Sequence, residues 1–170
     1  MPIPSSRIVR DSATDTGAAE LGPLPEWDLS DLYSGMGSPE LAQDLERAEA
    51  GCRGFATSFD GKLTTLEGDG LAAAISRMEE INQILGRIMS FAGLLYYQNT
   101  TDPERAKFMG DMQGRITQIT QPMVFFTLEL NRLEDSALDA MMSASADLAR
   151  YRPWLKRVRA MRPHQLSDEL

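Results

Sequence analysis

Residues 94–131, LLYYQNTTDPERAKFMGDMQGRITQITQPMVFFTLELN, join two long helical patterns through a marked stop and restart. The polar QNTT closes the first pattern. Behind it, Asp102 offers a side-chain cap, Pro103 suits the first helical position and Glu104 favours the positive helix end. So short a connection predicts two helices lying antiparallel about a turn at 99–102. Downstream, Phe108, Met112, Ile116, Ile119, Met123, Phe126, Leu130 and Leu133 step by four or three residues, which lays one apolar stripe along a helix. Pro122 interrupts it by removing one N–H and crowding the carbonyl of Gln118, so a kink is expected there.

Upstream of the turn, Leu71, Ile75, Met78, Ile81, Leu85, Ile88, Ala92 and Leu95 share one helical side. They predict a helix from near Asp69-Gly70 to Gln98, about 40 Å long at 1.5 Å per residue. Gly86, Ser90 and Gly93 lie close to this stripe, where small residues would let a neighbouring helix approach. Before it, Ser38-Pro39-Glu40 reads as cap, first position and first turn of another helix. Leu41, Leu45, Ala48, Cys52, Phe55 and Phe59 form its stripe, and Asp60-Gly61 ends it. After Leu133, Asp135 is expected to cap a short helix through Ala144, and a further helical segment over 147–161 contains Pro153. The fold class is therefore all-α: a bundle of long antiparallel helices with shorter helices towards the C-terminus.

The first 22 residues are rich in Ser, Thr, Ala, Gly and Asp without helical or strand period, and read as a flexible tail. The segment LPEWDLSDLY, 24–33, suits an extended stretch and a short turn pinned to the body by its aromatic residues. Residues 23–170 form one helical domain. At its end, Leu166-Ser167-Asp168-Glu169-Leu170 has the composition of a helix start, which suggests a domain cut at its C-terminus.

Composition excludes several function classes. The apolar fraction is 42% and the charged fraction 25%, ordinary for a globular protein. The net charge of −8 argues against nucleic acid, whose binding rests on cationic counterion release. No uncharged run reaches the roughly 20 apolar residues of a membrane helix. The N-terminus has no signal-peptide core and the single Cys52 cannot pair within the chain, so a cytoplasmic location is expected. Charge is uneven, however. Arg150, Arg152, Lys156, Arg157, Arg159 and Arg162 fall within thirteen residues free of acid. Such a strip is either a solvated face and seam meeting acidic neighbours, or a docking surface for an acidic partner or peptide carboxylate.

Catalytic chemistry is missing from the residues. A catalytic zinc needs three protein ligands, usually two His one helical turn apart with a Glu as base. The chain has one His, His164, and no HExxH. GxSxG, GxxxxGK[ST] and GxGxxG are absent as well. Cys52 falls on an apolar stripe, as a small buried hydrophobe would. His164 reads as structural, and Glu79-Glu80 and the acidic pairs at 134–135 and 168–169 as surface charge. Met78, Met109, Met112 and Met123 read as core packing, with a pliable peptide-contacting groove as the alternative; Tyr96 and Tyr97 are open in the same way. No catalytic, metal-ligating or substrate-binding residue is assigned.

Four segments carry a resemblance. PEWDLSDLY, the TTDPE junction and FFTLELN, together with RYRPWLKRVRAMRPHQLSDE at 150–169, are similar to the N-terminal region of the oligoendopeptidase F group of zinc metallopeptidases, peptidase family M3. The resemblance implies a largely helical enzyme around a deep channel, cleaving short unstructured peptides with zinc held by an HExxH helix and a later Glu. Those ligands lie beyond the matched region, so it carries no catalytic residue onto this chain and no cofactor into it. It implies a non-catalytic N-terminal part that shapes the channel, whose partners are the catalytic part of the peptidase and oligopeptides. The chain alone is then expected to be inert. A free-standing helical interaction module is the alternative.

Overall fold

Ser38 begins the ordered helices as the sequence predicts: its Oγ accepts from the Leu41 N–H, with Pro39 in the first turn. The computed structural model describes residues 26–164. Helix α1 (Pro39–Phe59) ends at Asp60-Gly61, where Gly61 takes a φ of +73° that side-chain-bearing residues rarely adopt. A 3-10 turn over Leu63–Thr65 leads into α2 (Gly68–Gln98), 31 residues long. Asp102 caps α3 (Pro103–Thr120) through the N–H groups of Glu104 and Arg105. No strand is found among the described residues, so the all-α architecture holds.

α2 and α3 pack against each other across the 99–102 turn, and α1 packs along α2. The hairpin turn is held by Arg105, whose guanidinium donates to the Leu95 carbonyl and to Gln98 Oε1 while pairing with Asp102. One cation thereby serves the carbonyl end of α2 and the cap of α3 together.

At Pro122 the interruption is stronger than a kink. The chain passes through a 3-10 turn, Gln121–Met123, and restarts as α4 (Val124–Arg132). The apolar stripe continues across the break, with Ile119, Phe126, Leu130 and Leu133 all buried. α5 (Asp135–Ala144) follows, but Asp135 is its first residue rather than its cap; Glu134 occupies the cap position without a side-chain bond. The segment expected over 147–161 divides at Tyr151 into α6 (Ala146–Arg150), capped by Ser145, and α7 (Arg152–Arg159). Pro153 falls in the first turn of α7, where an N–H has no intrahelical partner to lose.

Two apolar clusters form the interior. The main one joins Ala48, Cys52 and Phe55 of α1, Leu71, Ile75 and Ile81 of α2, and Phe126, Leu138, Leu148 and Leu155 from the later helices. The second gathers Tyr33, Leu41, Ile88 and Phe91. Tyr33 stacks edge-on against Phe91 and its hydroxyl donates to Asp44 Oδ2 at 2.8 Å. Arg87 lies over the Tyr33 ring, 4.7 Å from its centre, and donates to the carbonyls of Asp31 and Leu32. The segment before α1 is therefore pinned, as expected, but by Tyr33; Trp27 is 56% exposed, and its carbonyl accepts from Gln98.

Close helix approach also differs from expectation. A Cβ on Gly86 would meet nothing within 4 Å, and Ser90 is exposed. The tight contacts are at Gly51, where a Cβ would lie 3.1 Å from the Ile81 side chain, and at Gly68, where it would lie 2.6 Å from the Met141 carbonyl oxygen. The residues 1–22 read as a tail and the helix start at 166–170 lie outside the described residues.

Candidate functional site

Arg159 organises the C-terminal corner of the molecule. Its side chain is only 11% exposed, and its guanidinium donates to the carbonyls of Leu130 at 2.8 Å and Leu133 at 2.7 Å and to Asp135 Oδ1. Those carbonyls belong to the end of α4, where helical partners run out, so a partly buried cation satisfies them. The fork also fixes α7 against the α4–α5 junction.

That anchoring opens a groove of about 650 Å³ between α5 and α7. Leu138, Met142 and Leu155 form its floor. Asp135 and Asp139 stand on the α5 side, and Arg152, Lys156, Arg159 and Arg162 on the other. Arg152, Lys156 and Arg159 recur at four and three residues, so α7 turns one cationic face into the groove. Asp135 is engaged by Arg159 and lies 3.9 Å from Arg162. Arg150 approaches Asp147 at 3.9 Å with both side chains exposed, a contact worth little in water. The strip that the sequence marked as one run is thus split: Arg159 is a partly buried clamp, and Arg152, Lys156 and Arg162 rim a groove.

The remaining candidates sit apart. Cys52 is fully buried in the main cluster, and burial pushes its thiol up from the ordinary range. His164 is exposed in a 3-10 turn over Arg162–His164. Among the described residues, no three His, Cys, Asp or Glu side chains are grouped to hold a metal ion. The described residues therefore do not fit a catalytic zinc. Met78, Met112 and Met123 are half-buried and pack against the edges of the two clusters. Tyr96 and Tyr97 stack on each other at the hairpin end, with Tyr97 63% exposed. Glu80 pairs with Arg77, whereas Glu79 accepts from the Tyr151 hydroxyl at 2.8 Å, a bond that raises the Tyr151 pKa and ties the α6–α7 joint to α2.

Sequence reasoning missed Glu129, which accepts from the N–H groups of Gly61 at 2.7 Å and Leu63 at 3.3 Å and so fastens α4 to the turn after α1. No spacing signals a bond across 68 residues. Among the described residues, no helix is long and apolar enough to cross a membrane.

Comparison with known proteins places the groove in a recognisable region. The family model described as oligopeptidase F, the N-terminal part of the M3 peptidases, matches residues 129–170, which include every groove residue. The fold is also that found in the crystal structure of a candidate peptidase from Chlamydophila abortus, with a TM-score of 0.60 over 84% of this chain at 19% identity. The chain spans about a quarter of that structure, covering 24% of its length. No curated protein sequence gives a significant match.

Proposed function

From the oligopeptidase F likeness of residues 129–170, we propose that the chain is the non-catalytic N-terminal helical part of a zinc-dependent metalloendopeptidase that hydrolyses short peptides. The family match is the observation that carries this reading. In it, α1 to α3 form a stiff wall beside the substrate channel and limit entry to unstructured peptides. The chemistry belongs to the catalytic part, with the zinc; the described residues here group no ligand set for it. Its working partners are that catalytic part and oligopeptides, and its compartment is the cytoplasm.

The test is hydrolysis of a quenched-fluorescence peptide. The chain alone, with zinc added, should give no turnover, whereas a polypeptide joining it to the catalytic part should cleave the peptide and spare folded proteins. Turnover that survives repurification of the chain alone overturns the proposal. The cationic groove favours one alternative, a free-standing helical module that binds a protein partner. A native polypeptide that lacks a catalytic part would establish that alternative instead.

A further inference from the structure

We propose that the groove between α5 and α7 seats an amphipathic helix whose apolar stripe is flanked by carboxylates, and that this helix belongs to the catalytic part of the same enzyme. The source of the helix rests on the functional reading above; the chemistry of the seat rests on the groove itself.

The chain holds 25 acidic and 17 basic residues, so an exposed cation has ample anions to pair with in its own fold. Arg152 and Lys156 form no ion pair with any described residue, although Asp139 stands on the facing wall. Asp135 is shared by Arg159 and Arg162, leaving Arg152 and Lys156 against Asp139 across the opening. The groove therefore shows a visitor an excess of positive charge on a chain that is negative elsewhere. Its floor of Leu138, Met142 and Leu155, widened by the carbon stems of the rim cations, offers nothing to a bare anion. An occupant that satisfies both parts must bring apolar side chains down the middle and carboxylates along the edge. A helix laid over the two rails α5 and α7 does this with side chains one turn apart, in the way a third helix fills the notch between two others.

The probe is a fluorescein-labelled synthetic peptide of about 18 residues, long enough for a few helical turns, with a leucine stripe flanked by glutamates. A second peptide replaces each glutamate by lysine. Anisotropy titrations against the 170-residue chain at low salt should give at least about tenfold tighter binding of the glutamate peptide, and high salt should shrink that gap. R152E/K156E should abolish or invert the preference, and D139K should widen it; circular dichroism checks that both variants keep their helix content. Equal affinity for the two peptides, binding of neither, or a preference that survives R152E/K156E overturns the seat. In a polypeptide that also carries the catalytic part, the groove should already be filled and the glutamate peptide should no longer bind. Equal binding to both forms would assign the seat to a separate protein and overturn the choice of source. Proteolysis by the chain alone, by contrast, would remove the functional reading while leaving the peptide preference intact.

Discussion

Gly68 and Gly86 sit in the same helix and respond oppositely to a methyl group. At Gly68 a Cβ would lie 2.6 Å from the Met141 carbonyl oxygen and 2.7 Å from Ser145 Cβ, so backbone would have to move. Gly68→Ala should cost about 2 kcal/mol in urea unfolding, the range of an overpacked contact. Gly86→Ala meets only open space and should gain about 0.5–1 kcal/mol from helix propensity. The sequence marks Gly86 as close to an apolar stripe, but periodicity cannot say where a partner backbone from far along the chain arrives. Cys52 was more legible because a stripe position needs no partner to be read as buried. Burial raises its pKa, so the native thiol should react with a disulfide reagent only as the protein unfolds. Tyr33 adds a pH dependence. Burial, then its bond to Asp44, raises the phenol to about 12. The fold favours the neutral phenol, so its stabilisation is intact below the ordinary value near 10 and is lost as pH rises through about 12. Tyr33→Phe should cost about 1–2 kcal/mol at neutral pH and flatten stability over that alkaline window.

Between elements, the decisive contacts are cations on carbonyls. Arg159 serves two carbonyls of the α4 end and Asp135 at once, so Arg159→Ala leaves acceptors unpartnered and should cost about 2–3 kcal/mol. Arg159→Lys keeps the charge but loses the fork, and should recover less than half of that in the same denaturation series. The predicted helix starts at Ser38 and Asp102 were right because a cap and a following proline are local chemistry. The joint at Tyr151 was not legible. A proline two residues into a new helix and a proline kinking an old one look alike in sequence; what separates them here is tertiary, the bond from Tyr151 to Glu79 of α2. The groove was half legible for the same reason: the sequence shows the run of cations, but not which one turns inward to Asp135.

Across the whole molecule, the main cluster draws side chains from α1 to α7, so these helices should unfold in one transition. Trp154 packs against that cluster while Trp27 is exposed. Trp154→Phe should therefore remove most of the fluorescence change on unfolding and Trp27→Phe little of it, with the remaining signal coinciding with loss of helical dichroism. The all-α class and the oligopeptidase F likeness were both legible, since each rests on segments many residues long. α2 runs its first half through the main cluster and its second half, at Ile88 and Phe91, through the other. At 31 residues it is about 46 Å of helix braced at both ends. It is therefore a built-in ruler: dyes attached near Asp69 and Asn99 should hold a constant separation for as long as both clusters stay packed, so any change between them would report the loss of one bracing point rather than a swing of the helix as a whole.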